Sequence, residues 1–487
     1  MSEIVRVERG RYHDSVTLMR ASAAASAEPG VEAVIAAMAT PLNRDLLRDA
    51  GFPPPDAGPD DLVVAVRAVH DAAVEAAVAA VERALAQRRR TVPGGAARVP
   101  PHTVEAAAAE RPDAGVVVVS VPGPHAYVEA TAALRAGRHV MVFSDGVDLD
   151  AEVALKREGA ARGRLVMGPD CGTVILAGVG LGFANVVVPG PVGLVAASGT
   201  GAQQVCGLLD GAGIGVRHVL GVGGRDLSAT VGGVSALAAL QALDADPQVE
   251  VIAVVSKPPA PDVADALAVA AAKCATPVVL APVGPGCPTL TDATADIART
   301  LGRPFPEPAS WGTPPVPRPG PLLGLFSGGT NCVEALVLLE ERIGAVRSNV
   351  HPDPGRHIGA GDDPGGAAAL LDLGDDELTA GRPHPMIDPA PVADRLAAAR
   401  SGVVLLDVVL GHGAHPDPAS VLGPALAETG AAPVVTLVGT AGDPQGLERQ
   451  AQALVAAGAV VHRSIARAAT HAAGLLVGAQ TDGPAEP

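Results

Sequence analysis

The apolar positions of this 487-residue chain follow two alternating rhythms. Short β-branched or leucine-rich runs, such as Val116-Val-Val-Val-Ser and Val251-Ile-Ala-Val-Val-Ser, predict strands buried on both faces. Between them lie stretches of about ten to fifteen residues with helical spacing, and that alternation predicts parallel sheets covered by helices.

In residues 1–95, strands are predicted over 4–7, 31–38 and 62–66 and helices over 15–27, 43–50 and 71–88. This is a small N-terminal α/β domain of βαβαβα order, with Tyr12-His13-Asp14-Ser15 capping the first helix. The stretch 88–101 is polar, carries glycine and proline, and reads as a linker. A Rossmann-like unit follows over 96–190, with strands at 116–120, 139–143 and 165–167. A third unit spans 191–308, with strands at 219–223, 251–256 and 277–281 after the run that starts at Val192. Residues 309–321 are rich in proline and read as a linker. The fourth unit, 322–478, repeats the plan with strands at 322–326, 403–408, 434–438 and 460–462. Residues 479–487 read as a disordered tail. The expected fold class is multi-domain α/β.

Composition narrows the chemistry. With one Trp, two Tyr and five Phe, the cores must be Ala, Val and Leu. A net charge of −17 argues against a nucleic-acid backbone or an anionic membrane as the main partner. It leaves room for small anionic substrates, because a local helix end outweighs distant charge. Five cysteines without a CxxC pair indicate a reducing compartment and no structural zinc, and no metal site is expected. The charged N-terminus has no apolar signal region and no window suits a membrane span, so the expectation is a cytoplasmic protein.

Two stretches nearly repeat each other. Val192-Gly-Leu-Val-Ala-Ala leads into Ser198-Gly199-Thr200-Gly201, and Leu322-Leu-Gly-Leu-Phe leads into Ser327-Gly328-Gly329-Thr330. Each reads as a strand, a glycine-rich turn and a helix start. A helix N-terminus offers unpaired N–H groups and partial positive charge, and small residues let an anion approach the backbone. An ordinary tight βα turn is the alternative for either alone. The pair suggests one phosphate-like group held between two helix ends.

Other motifs lie at predicted strand ends, where α/β folds bind ligands. Gly168-Pro-Asp170-Cys171-Gly172-Thr is one. Cys171 is either a nucleophile or a packing cysteine, and without a basic neighbour the packing reading is favoured. In Gly221-Val-Gly-Gly-Arg225-Asp226, Arg225 either clamps an anion or pairs locally with Asp226. The stretch 372–389 combines five acids with Arg382 and His384 between proline kinks. It is either a site loop or a solvated acidic loop; its carboxylates could hold Mg²⁺, but no ligand spacing supports that. Asp407 falls inside a predicted buried strand and must be paired or protonated, with His412 and His415 just beyond. Gly439-Thr-Ala-Gly-Asp-Pro-Gln is a last strand-end turn.

Taken in order, GPDCGT, SGTG, GVGGRD, SGGT, DLGDDE–GRPHPMIDP and GTAGDPQ, with the N-terminal YHDSVTLM and MATPLN, resemble the FdrA family, relatives of succinyl-CoA synthetase. The resemblance implies a CoA-binding-like Rossmann unit and two flavodoxin-like ligase units. In the synthetases, helix N-termini from the two ligase units face each other across a phosphohistidine. Here the matching loop is Pro282-Val-Gly-Pro-Gly-Cys-Pro-Thr, without histidine, and Val121-Pro-Gly-Pro-His replaces the dinucleotide glycine fingerprint. No ATP-grasp nucleotide domain is recognised. The family further implies a subunit of oxamate carbamoyltransferase in allantoin and purine catabolism, acting with partner subunits. Its substrates would be oxalurate and phosphate, its products oxamate and carbamoyl phosphate. The expected roles are phosphate or carbamoyl phosphate at the two turns and anion binding by Arg225 and Arg382. His384, His412 and His415 are the proton-transfer candidates, and CoA is an open cofactor. The alternatives are an NDP-forming acyl-CoA synthetase and a non-catalytic regulatory relative.

Overall fold

A computed structural model describes residues 2–13, 15–86, 101–313, 316–359, 368–379 and 382–477. The expected 88–101 linker, apart from Pro101, and the 479–487 tail lie outside them. The chain forms two compact units, Met1–His102 with Thr379–Pro383, and Thr103–Leu378 with His384–Pro487.

The first unit runs β1 (Ser2–Glu8), α1 (Ser15–Ser26), β2 (Val31–Met38), α2 (Pro41–Asp49), β3 (Leu62–Ala68) and α3 (Asp71–Ala86). The order is the expected βαβαβα. β3 lies between β1 and β2 and is antiparallel to both. Alternation along β3 sends Val64, Val66 and Ala68 against α1 and α3, and Val63 and Ala65 against Leu47 and Phe52.

The second unit opens with α4 (Val104–Glu110), β4 (Val116–Val119), α5 (Gly123–Arg135), β5 (His139–Val142), α6 (Leu149–Ala161) and β6 (Val166–Met167). β4, β5 and β6 make a parallel three-stranded sheet, the Rossmann-like part.

Next come β7 (Thr173–Leu176), β8 (Val179–Gly182), β9 (Val192–Ala196), α7 (Gly199–Gly211), β10 (Val216–Gly221) and α8 (Val234–Asp244). β11 (Val251–Ser256), α9 (Pro261–Ala271), β12 (Val278–Pro282) and α10 (Leu290–Thr300) complete this part. The sheet order is β12-β11-β9-β10-β7-β8. Its parallel strands β9 to β12 follow the 2-1-3-4 winding of a flavodoxin-like sheet. β7 and β8 extend it as an antiparallel hairpin, so the sheet takes in 173–182, which the sequence pattern assigned to the preceding unit.

The last part comprises β13 (Ser310–Trp311), β14 (Leu322–Phe326), α11 (Gly329–Ile343), β15 (Arg347–Ser348), β16 (Ala369–Asp372), α12 (Asp376–Thr379) and α13 (Ala390–Ala398). It ends with β17 (Val403–Val409), α14 (Pro418–Glu428), β18 (Ala432–Val438), α15 (Leu447–Ala456), β19 (Val460–His462) and α16 (Ile465–Val477). The order β16-β14-β17-β18-β19 is again the flavodoxin-like 2-1-3-4-5 winding. Ser310 and Trp311, within the expected proline-rich linker, form an edge strand antiparallel to β19. Apolar clusters cover both faces of each large sheet, as the strand patterns require.

Buried polar side chains fasten these parts together. Gln204 on α7 donates to the Arg463 carbonyl (2.7 Å), and the buried Arg463 guanidinium donates to the carbonyls of Gly207 (2.6 Å) and Gly439 (2.7 Å). Glu334 on α11 accepts the Leu290 N–H at the start of α10 (2.6 Å). Burial pushes the Glu334 carboxyl up to about 7.

Candidate functional site

Both large sheets bring a glycine-rich turn to the carboxyl end of their first strand, and the two turns touch. A Cβ built on Gly328 would lie 2.2 Å from the Thr200 hydroxyl oxygen, and one built on Gly201 would lie 3.1 Å from the Thr330 methyl. Glycine at both positions is therefore what lets α7 and α11 begin against each other. The two helix ends meet. Thr200 packs against Gly328, so the gap between the two turns, where one anion was expected, is closed at this contact.

The two ends differ. Ser198 is the N-cap of α7, and its hydroxyl accepts the Gly201 N–H (3.0 Å). In the second turn the N-cap is Gly328, which offers no side-chain hydrogen bond. Ser327 falls one residue earlier, and its N–H donates to Asp407 (2.6 Å). The other Asp407 oxygen accepts from the Asn331 side chain (2.8 Å). The buried Asp407 is thus paired, as expected, and burial raises its carboxyl to about 6. The N-terminal N–H groups of α11 keep their capacity to receive an anion.

Two charged groups that sequence reading did not assign stand at this helix end. A Cβ on Gly329 would lie 2.8 Å from an Asp372 carboxylate oxygen and 3.2 Å from Lys257 Nζ. Lys257 directly follows β11, and Ser198 follows β9 two residues beyond its last strand residue. These strands flank the point where the strand order reverses, the usual ligand crevice of such sheets. Asp372, at the end of β16, is buried and accepts the Gly374 N–H (3.0 Å). Burial raises its carboxyl to about 7, against the pull of Lys257.

Beside the first turn is a small cleft of ≈ 20 Å³, lined by Asp170 to Thr173, Ser198, Gly199 and the glycines before Arg225. Three motifs chosen from sequence thus line one space. Asp170 keeps an exposed edge, but its surroundings are mostly protein. That desolvation, with the nearby Asp376 and Asp145 carboxylates, pushes it up to about 7, while Arg225 opposes the shift.

Arg225 is held by Glu152 (2.9 Å) and by the Val147 carbonyl (2.8 Å). The local pair with Asp226, one of the two readings left open, is replaced: Asp226 is fully buried and binds Lys156 (2.7 Å), which also binds Glu152 (2.8 Å). Cys171 is a packing cysteine. Its thiol faces the Gly221 carbonyl (3.3 Å), and burial pushes it up to about 12. Gly172 and Gly199 line the cleft with it.

The histidines take different positions. His384 is partly buried, its ring centroid 5.7 Å from that of Phe183, and its Nε2 faces Gly374. The Met386 N–H donates to its Nδ1 (3.2 Å), which assigns the proton to Nε2, and burial lowers its pKa to about 4. At neutral pH it is a neutral imidazole that presents an Nε2–H donor. His412 is exposed, with its backbone N–H bonded to Ala184 (2.8 Å). His415 Nδ1 accepts the Asp417 N–H (3.1 Å). Arg382 is exposed and belongs to the first compact unit, so it is not counted in this site.

At the Rossmann-like entrance, Gly123 admits the loop at 145–146, whose backbone would lie 2.3–2.4 Å from a Cβ there. The glycine serves that packing, and the dinucleotide cradle is not formed by these residues. Among the described residues no group of three or more metal-ligating side chains is arranged to hold an ion, and no helix is long and apolar enough to cross a membrane.

Comparison with known proteins fits this architecture. Residues 1–100 match the heavy metal-associated domain of AllF, 189–283 a CoA binding domain and 325–475 a CoA-ligase domain. The CoA-binding match thus falls on the first flavodoxin-like sheet. Residues 1–100 contain no cysteine, so they do not fit a thiolate metal site. The chain is 34% identical over 510 aligned residues to the uncharacterized protein YahF of Escherichia coli (strain K12), covering 95% of this chain and 96% of that one. It is 35% identical over 127 residues to succinate–CoA ligase [ADP-forming] subunit alpha 1 of Archaeoglobus fulgidus, covering 25% of this chain and 43% of that one. A solved dinucleotide-forming acetyl-coenzyme A synthetase 1 of Ca. Korarchaeum cryptofilum aligns over 79% of this chain and 86% of its own, at 15% identity and a TM-score of 0.31. With the two flavodoxin-like sheets, their apposed turns and a relative matched along nearly its full length, this chain belongs to the FdrA family of succinyl-CoA synthetase-like proteins.

Proposed function

We propose that this CoA-ligase-type scaffold works as a subunit of an oxamate carbamoyltransferase-type enzyme in allantoin nitrogen catabolism, in a cytoplasmic complex with partner subunits. The observation that carries the reading is the uncapped N-terminus of α11 with Lys257 and Asp372 beside Gly329. Phosphate binds there through backbone N–H groups and the ammonium. An oxygen of hydrogen phosphate attacks the ureido carbonyl carbon of oxalurate. The bond from that carbon to the oxamate nitrogen breaks, and the phosphate proton ends on that nitrogen. The products are oxamate and carbamoyl phosphate, with atoms and charge balanced. Asp372, its carboxyl raised by burial to about 7, relays the proton. The α11 end and the neutral His384 Nε2–H supply fixed dipoles for developing negative charge. The AllF-type match over residues 1–100 supports the allantoin setting.

The test is carbamoyl phosphate formation from oxalurate and phosphate by the chain purified with its partner subunits. Lys257→Gln is expected to lower kcat/KM about 100-fold. A complete complex that forms no carbamoyl phosphate rejects the proposal. The CoA-binding and CoA-ligase matches favour a second reading, an NDP-forming acyl-CoA synthetase. It predicts acyl hydroxamate formation that requires an acid, ATP and CoA.

A further inference from the structure

A larger cleft lies away from the paired turns. It holds ≈ 440 Å³ between the start of α10, the later turns of α11 and the first turns of α16. Arg342 on α11 and Arg467 on α16 line it. Arg342 is 13 residues beyond Gly329, about 20 Å along the helix at 1.5 Å per residue, so the cleft is distinct from the candidate site.

Its walls carry a consistent chemistry. Thr291 on α10 and Ser464, just before α16, join hydroxyls across the cleft (2.7 Å). The carboxylate among the described wall residues, Asp292, is engaged at its own helix end, accepting from the Thr289 N–H and hydroxyl. Arg467 pairs at the rim with Glu307, which is largely exposed, and such a pair yields easily to a better anion. Arg342 is bonded to the Leu338 carbonyl, one turn back, and among the described residues its countercharge is the exposed Glu341 at 3.9 Å. The ring of His471 stands edge-on to that of His462, with 5.1 Å between centroids. The two are hydrogen-bonded (2.8 Å), and His462 is bonded in turn to Ser310 (2.7 Å). That chain holds the His471 ring as a fixed flat wall, and Leu338 adds apolar surface. Two guanidinium forks suit a dianionic head, and the remaining volume and flat wall suit an apolar or aromatic body.

We propose that this cleft binds a nucleotide-sized phosphate monoester, with Arg342 and Arg467 on the phosphate and His471 against the body. The probes are adenosine monophosphate and inorganic phosphate, titrated by calorimetry into the full chain. AMP is expected to bind, and phosphate to bind at least about tenfold more weakly because it leaves the flat wall uncovered. The double variant Arg342→Gln/Arg467→Gln is expected to weaken AMP at least about tenfold, while Lys257→Gln changes it less than about twofold. Hydrogen exchange on the unmodified chain gives a second reading, with AMP protecting 338–342 and 464–471. Absence of AMP binding up to millimolar concentration, equal affinity for phosphate, or protection confined to 198–201 and 327–330 would overturn the proposal.

Discussion

The first turn is Ser198-Gly-Thr-Gly and the second Ser327-Gly-Gly-Thr, nearly the same letters with different work to do. In the first, the serine is the last residue before the helix and caps its own backbone. In the second, the helix begins one residue later, so the serine contributes its N–H to Asp407 and a glycine holds the cap position. A one-residue shift separates a self-satisfied helix end from one braced from outside and left open to an anion. Composition of a turn says that it can approach a phosphate; the position of its hydroxyl relative to the helix start says whether the N–H groups are free to do so.

The largest test of that contrast is Asp407→Ala. It leaves the Ser327 N–H and the Asn331 amide buried without their acceptor, and two such groups cost about 2–6 kcal/mol. Chemical denaturation should show the loss, and a change below 1 kcal/mol, roughly the worth of a single typical hydrogen bond, would mean the brace is dispensable. Next is Lys257→Gln, which removes a charge-assisted contact of about 1.5–3 kcal/mol and should weaken phosphate binding about 10- to 150-fold. Unchanged affinity by calorimetry places the anion elsewhere. Ser198→Ala should be milder, costing about 1 kcal/mol of thermal stability through the lost cap, with phosphate affinity within about twofold. A larger affinity loss there would show the two ends to be equivalent after all.

The smallest signal is in pH. The Asp372 carboxyl is raised from 3.8 to about 7, so its stabilising contribution is complete below about pH 4 and is lost as pH rises towards 7. His384, lowered from 6.5 to about 4, acts the other way: its contribution is present above 6.5 and lost as pH falls to about 4. The two slopes oppose each other in the whole protein. Only the difference between wild type and Asp372→Asn isolates the first, and a flat difference curve from pH 4 to 7 would remove Asp372 as a proton carrier.

Much of this architecture was legible in the chain. Continuous runs such as 251–256 and 403–408 are strands because a short run rich in β-branched residues suits a strand buried on both faces. The hairpin Thr173–Gly182 was hidden because its two short strands follow a glycine-bearing turn and take their order from pairing with β10. Ser310–Trp311 gives no local strand signal amid prolines and is extended because β19 lies beside it. At the site, the turns could be read and Lys257 could not. A lysine after a strand is commonplace, and its meaning comes from strand order, which places β11 beside β9. Asp372 was visible only as one of several acids, and its desolvation depends on contacts distant in sequence.

Trp311 is the only tryptophan in the chain. It sits in the two-residue edge strand, its indole N–H donating to Glu448 (3.1 Å), next to the Ser310 that holds His462. The molecule therefore carries a built-in optical reporter at the seam between its proline-rich crossover and its last sheet. A red shift in emission that precedes loss of ellipticity on heating would time the peeling of that seam, without any added label.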